Sequence, residues 1–127
     1  MGLYSDEMKV MIVDDSELER TNLAQIIEHA GHKVITANTG QDAVNLAKSE
    51  KPKVIFLDIM MSGGMDGFKT CRTLHADAAT SGIPVIMVSS KKNKADKVWA
   101  AEQGAVGYIV KPYSEQEILE TISRFTK

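Results

Sequence analysis

The chain has 127 residues, 43% of them hydrophobic, enough for one core and too short for two ordinary domains of about 100–150 residues each. Its 15 Lys and Arg stand against 17 Asp and Glu, a formal charge of −2, so there is no global basic field to hold nucleic acid by counterion release. No apolar run approaches the roughly 18 residues a membrane span needs and the start lacks a signal-peptide layout, so a soluble cytoplasmic protein without membrane insertion is expected.

Residues 1–7 precede the first apolar run and read as an N-terminal extension prone to fraying, with the domain itself over 8–127. Lys9 to Val13 is a β-branched apolar run that predicts a first strand, ending at Asp14 and Asp15. Ser16 with Glu19 fits a capping box that opens a helix, and Leu23, Ile26, Ile27 and Ala30 give it one apolar face before Gly31 stops it. Lys33 to Ala37 predicts the second strand, and Ala43, Leu46 and Ala47 a weaker amphipathic helix after it. Val54 to Leu57 predicts a third strand with Asp58 at its end, followed by a helix carrying Phe68 and Cys71. Cys71 is the single cysteine, which excludes an intramolecular disulfide and suits a small buried hydrophobe.

Ile83 to Val88 predicts the fourth strand, with Ser89 after it. Ala95, Val98 and Trp99 mark the inward face of a fourth helix, with Trp99 expected in the core, while Lys91, Lys92, Lys94 and Lys97 read as a solvated face. Tyr108 to Val110 predicts a short fifth strand that ends at Lys111, and Ser114 with Glu117 caps a last helix bearing Ile118, Leu119 and Ile122. Five strands alternating with five helices require crossovers, hence a parallel sheet covered on both faces, a doubly wound α/β sandwich.

In such a sheet ligands bind outside the carboxyl ends of the strands. Asp14, Asp15, Asp58, Ser89 and Lys111 all fall at that edge. With strand order 2-1-3-4-5 the first and third strands are neighbours, and three carboxylates meet in one crevice. Their repulsion calls for a hard, oxygen-seeking cation such as Mg²⁺, with Mn²⁺ as the alternative ion. An ammonium at Lys111, a hydroxyl at Ser89 and a carboxylate nucleophile complete what a phosphoryl group needs. Alone, the Asp14–Asp15 pair reads as a helix cap, Ser89 as a strand-end hydroxyl and Tyr108 as a half-buried aromatic; their combination with Asp58 and Lys111 outweighs those readings. His29 and His32 have a ligand-like spacing, but Gly31 breaks the helix between them, so no metal site is expected there; His75 reads as surface.

The motifs Val13-Asp14-Asp15-Ser16, Phe56-Leu57-Asp58, Met65-Asp66-Gly67-Phe68, Pro84 to Ser89 and Lys111-Pro112 occur in one order over nearly the whole chain. Together they resemble the receiver domains of two-component response regulators, in the single-domain, chemotaxis-regulator form. The resemblance implies a flavodoxin-like (βα)₅ fold with Asp58 as phosphoacceptor. It implies a metal site of Asp14, Asp15, Asp58 and the main-chain carbonyl of Met60, with Lys111 pairing phosphoryl oxygens. Ser89 and Tyr108 would act as the switch pair, and the Lys111-Pro112 bond would be cis.

The implied function is a stand-alone response regulator. It takes a phosphoryl group from a histidine kinase or histidine phosphotransfer domain and catalyses only its own phosphotransfer and dephosphorylation. It would signal to a target protein through the face made by the fourth helix, fifth strand and fifth helix, with no nucleic-acid partner. The stretch Asp96-Lys97-Val98-Trp99 to Gln103-Gly104-Ala105 resembles the regulators of type IV pilus and twitching-motility chemosensory systems. One departure from the family pattern is Ser62-Gly63-Gly64, which replaces a proline and lengthens the loop after Asp58 by one residue, so a looser loop is expected. Two alternatives stay open: an interaction module that works without phosphorylation, and an aspartate-nucleophile phosphohydrolase. The second lacks the general-acid Asp two residues after the nucleophile, where Met60 stands.

Overall fold

The computed structural model describes residues 7–126. The proposed extension over 1–7 therefore lies, apart from Glu7, outside the described residues. The elements alternate as β1 (Lys9–Val13), α1 (Glu17–His29), β2 (Lys33–Ala37), α2 (Gly40–Glu50), β3 (Val54–Asp58), α3 (Gly67–Ala76), β4 (Val85–Ser89), α4 (Lys94–Glu102), β5 (Gly107–Val110) and α5 (Glu115–Phe125). The five strands form one parallel sheet in the order β2-β1-β3-β4-β5. The alternation predicted the parallel α/β sandwich, and the order is that of the flavodoxin-like fold implied by the family resemblance.

The period of two along each strand divides the core into two layers. Val10 and Ile12 of β1, Val54 and Phe56 of β3, Ile86 and Val88 of β4 and Ile109 of β5 pack against Leu23 and Ile27 of α1 and Ile118 and Ile122 of α5. The intervening residues Met11, Val13, Ile55, Leu57, Val85 and Met87 face the other way, onto Ala43, Val44 and Ala47 of α2, Cys71 and Leu74 of α3 and Ala100 of α4. Each fully buried side chain of this kind contributes about 1.5–3 kcal/mol, which is why the three central strands carry almost unbroken apolar runs.

The helix starts are fixed locally. Ser16, Thr39, Asp66, Asn93 and Ser114 each accept, through the side chain, the amide three residues on, satisfying one orphan donor per helix at about 1 kcal/mol each. At the end of α1, Gly31 adopts φ +95°, the left-handed residue the sequence predicts there.

Two expectations are corrected. The fourth strand begins at Val85 rather than Ile83, because the Ile83 amide closes a turn onto the Thr80 carbonyl at 3.0 Å and Pro84 has no amide to give the ladder. The inward face of α4 is also different: Ala95, Val98 and Trp99 are exposed, Trp99 at 47%, and only Ala100 of the helix is buried. Asp96, Ala100 and Gln103 are the residues least exposed around that turn, at i, i+4 and i+7. Two of these three positions are polar, so the apolar periodicity pointed to the opposite side. Trp99 instead meets the half-buried Phe68 of α3 edge-on, with ring centroids 6.4 Å apart.

Candidate functional site

The carboxyl ends of β1, β3, β4 and β5 meet at one edge. Val13 pairs with Leu57 across β1 and β3, so the residues that follow, Asp14 and Asp58, leave the sheet side by side. Asp58 is itself the last residue of β3, opposite Val88, and Ser89 is paired with Val110, which puts Lys111 one step beyond. The Lys111 amide continues the ladder to the Ser89 carbonyl at 2.9 Å, and the Lys111-Pro112 peptide is cis.

Asp14, Asp15 and Asp58 each bring a carboxylate oxygen to within 4.8 Å of the others. Asp14 and Asp58 are buried, whereas Asp15 is exposed. Asp14 is anchored by the Ser16 amide, which donates to its Oδ1 at 2.9 Å, and by Arg20, whose Nη1 donates to its carbonyl at 2.8 Å. Three converging hard oxygen donors, two of them desolvated, are the donor set that suits a divalent cation of the Mg²⁺ or Mn²⁺ type.

Burial, and next the charge of Asp14, push the Asp58 carboxyl from 3.8 up to about 6, with Lys111 opposing the rise. Lys111 lies among the acids. Its Nζ is 3.4 Å from Asp14 Oδ2 and 3.5 Å from Asp58 Oδ1, and its shortest ion pair is with Glu19 Oε1. Burial works against the Lys111 charge, but the hydrogen bond to Glu19 and the charges of Asp58 and Asp14 outweigh it and hold the ammonium above the ordinary lysine range.

Glu19 is the residue sequence reasoning placed elsewhere. In a capping box its carboxylate would return to the Ser16 amide, but that amide is taken by Asp14, so only the Ser16 half of the box forms. The freed carboxylate reaches Lys111 instead. The signal that could have found it is Asp14 itself, a competing acceptor two residues before Ser16.

The Ser62-Gly63-Gly64 loop, expected to be loose, touches the acidic edge. The Ser62 amide and hydroxyl both donate to Asp15 Oδ2, at 3.1 and 3.3 Å, a tether that a proline at this position could not supply in full. Gly63 and Gly64 have φ of +90° and +89°, which only glycine adopts without strain. Downstream, Gly67 packs on the chain leaving β3: a Cβ there would stand 2.2 Å from the Asp58 carbonyl oxygen, and its amide donates to the Ile59 carbonyl at 2.8 Å. The Asp66-Gly67 pair therefore combines a helix cap with a close approach to the candidate nucleophile. Met60, two residues after Asp58, is 59% exposed and carries no acid.

Ser89 is fully buried and its Oγ accepts the Lys91 amide at 3.1 Å. Tyr108 is half-buried and its hydroxyl donates to the Lys91 carbonyl at 2.6 Å. One peptide residue thus links the two predicted switch side chains. His32 Nδ1 accepts the Met8 amide at 3.3 Å.

The response regulator receiver domain model matches residues 10–123. The chain is 46% identical over 115 residues to protein PilH of Pseudomonas aeruginosa, covering 91% of this chain and 94% of that protein. It is 39% identical over 122 residues to protein PilG of the same organism, covering 96% and 90%. Among solved structures, the chemotaxis protein CheY4 of Vibrio cholerae superposes with a TM-score of 0.88 at 28% identity, over 94% of this chain and 99% of that one. Fold, edge chemistry and relatives agree, and the chain belongs to the family of response regulator receiver domains.

Proposed function

We propose that the chain is a phosphorylation-dependent switch in which Asp58 receives a phosphoryl group from the phosphohistidine of a histidine kinase or histidine phosphotransfer domain. The observation that carries this reading is the gathering of Asp14, Asp15 and Asp58 within 4.8 Å, with the Lys111 ammonium against two of them. Asp58 Oδ attacks phosphorus while the P–N bond breaks. Its electron pair returns to the ring nitrogen, and the imidazole, protonated on its other nitrogen, leaves neutral. Water later breaks the acyl phosphate and returns the carboxylate and inorganic phosphate. Asp14, Asp15 and Asp58, with the Met60 carbonyl, would hold Mg²⁺ or Mn²⁺, which would supply charge neutralisation and orientation. Lys111 pairs a phosphoryl oxygen, and Ser89 donates its hydroxyl to another.

The output is a protein contact. Ser89 Oγ now accepts the Lys91 amide, and Lys91 holds Tyr108 through its carbonyl. A hydroxyl turned toward phosphate releases that amide, so the strain reaches Tyr108 and the face of α4, β5 and α5, where the target docks. The domain runs over 8–127 with 1–7 as an extension, in the cytoplasm; the likeness to PilH, PilG and CheY4 supports a role in pilus motility or chemotaxis. The phosphohydrolase alternative is disfavoured by Met60 at the general-acid position.

The test is intact-mass measurement after incubation with acetyl phosphate and Mg²⁺. The wild type is expected to gain one phosphoryl mass, and Asp58→Asn none. Equal gain in both, or none in either under transfer from any histidine kinase, sinks the reading.

A further inference from the structure

We infer that Glu19 is a positioning residue that competes with the incoming phosphoryl group for Lys111, and that it sets how strongly the site takes up phosphoryl donors and their analogues. The inference rests on the phosphoacceptor role of Asp58 proposed above.

An ammonium has three N–H donors. At Lys111 all three are spoken for: Glu19 holds the shortest contact, with Asp14 at 3.4 Å and Asp58 at 3.5 Å. A phosphoryl oxygen can therefore bind Lys111 only by exchange with one of these carboxylates. Until the P–O bond forms Asp58 is still ionised, and it and Asp14, with side chains 9% and 8% exposed at the ends of their strands, have no room to swing away from Lys111. The Glu19 side chain is 44% exposed and sits in the first turn of α1, so it can return to water at little cost. It is the partner that gives way.

Space points the same way. Asp14, Glu19, Asp58, Lys111 and Tyr113 line the polar side of a cavity of only about 10 Å³, room for about one water, whose other side is the apolar core around Phe56. Glu19 is the exposed arm of that enclosure. Its position is not an accident of a flexible side chain: the Ser16 amide that a capping Glu would occupy is filled by Asp14 at 2.9 Å, so the local turn directs Glu19 to the lysine. In the resting protein Glu19 thus neutralises Lys111, and on phosphorylation it must be displaced.

The experiment measures phosphorylation by acetyl phosphate and saturation by beryllofluoride, both with Mg²⁺, in wild type, Glu19→Gln and Glu19→Ala, each checked for folding by urea denaturation. With the competing charge removed, both variants should half-saturate at about three- to tenfold lower donor and beryllofluoride concentration, with the limiting rate of phosphorylation unchanged, as for a lost ground-state competitor. The Lys111 ammonium signal, resolved by ¹⁵N NMR in the resting wild type, should shift in both variants and shift far less on beryllofluoride binding than it does in wild type. A loss of general structure would move the limiting rate and the denaturation midpoint instead. If the wild type is phosphorylated on Asp58 but both variants half-saturate at the wild-type concentration or above it, the competitor role is overturned and the phosphoacceptor reading stands. If the wild type gains no phosphoryl mass, that reading fails and this inference fails with it.

Discussion

Replacing Asp58 by Asn removes a carboxylate that the fold keeps charged at a cost, and the size of the cost follows from its environment. The Asp58 carboxyl has an ordinary value of 3.8 and is raised to about 6 by burial and by Asp14. Between those values the folded protein binds the proton more tightly than the unfolded chain. The stabilisation due to protonated Asp58 is therefore full at low pH, and it is lost as pH rises through about 6. A rise of about two pH units at about 1.4 kcal/mol each sets a ceiling of about 3 kcal/mol on the penalty at neutral pH.

Urea denaturation of wild type and Asp58→Asn across pH, in chelated buffer, reads this directly. The variant should be more stable near neutrality by about 1–3 kcal/mol, a midpoint higher by about 1 M urea. The gap should shrink as pH falls through about 6 and close near 3.8. Because both proteins share every other titrating group, the difference isolates Asp58. Mg²⁺ should raise the wild type more than the variant, by about 2.7 kcal/mol at a hundredfold excess over its dissociation constant. Equal stabilities at neutral pH, or a gap that widens in acid, would refute the electrostatic account of the site.

Gly67→Ala places a methyl 2.2 Å from the Asp58 carbonyl oxygen and 2.6 Å from Ile59 Cα, both backbone atoms that cannot step aside, so the variant should lose about 1–3 kcal/mol and phosphorylate slowly. An unchanged melting temperature would show that this approach is not tight. Tyr108→Phe removes the hydroxyl that holds the Lys91 carbonyl and should cost about 0.5–1.5 kcal/mol in urea denaturation, while leaving the rate of phosphorylation of Asp58 close to wild type. Trp99→Ala should cost under about 1 kcal/mol, and wild-type Trp99 fluorescence should be readily quenched by iodide, since the ring is 47% exposed; a loss above 3 kcal/mol would restore the core placement.

The sheet was legible because its signal is redundant. Each central strand is a run of apolar residues, and Ser16 and Ser114 mark helix starts by chemistry that acts over three residues. The polar edge was legible for the related reason that Asp58 and Lys111 end apolar runs where nothing local requires a charge. Asn93, Thr39 and Asp66 cap helices equally well, but their sequences lack a following Glu or a strong apolar stripe to expose them. What stayed hidden depended on tertiary competition. The face of α4 was misplaced because Asp96 and Gln103 share its inner side with Ala100, a polar lining that periodicity assigns to solvent. Glu19 was hidden by a pairing 92 positions away in the chain with Lys111, and by a backbone amide that Asp14 claims first. Ser62 was legible as an oddity, although its use as a donor to Asp15 depends on how the Gly63-Gly64 turn folds back over the edge.

Among the described residues, four carboxylates, those of Asp14, Asp15, Glu19 and Asp58, share this edge with two cations, the Lys111 ammonium and the Arg20 guanidinium that donates to the Asp14 carbonyl at 2.8 Å. The Asp58 carboxyl is raised by its burial first and by the charge of Asp14 second. In the role proposed for it, the same burial would make Asp58 a more basic nucleophile than a surface aspartate while leaving it ionised at neutral pH. A phosphoryl group, however, replaces one negative charge by about two, and Lys111 and Arg20 together cannot balance the sum even after Glu19 withdraws. On the function proposed above, a cation bound beside Asp58 before phosphorus arrives meets that imbalance. Chelation with EDTA should therefore abolish the mass gain from acetyl phosphate, and Mg²⁺ should restore it. Asp15→Asn, which spares the buried pair, should raise the Mg²⁺ concentration needed by about tenfold or more. Undiminished phosphorylation of Asp58 in EDTA would mean that Lys111 and the backbone amides suffice, and the argument from charge would then be wrong at its root.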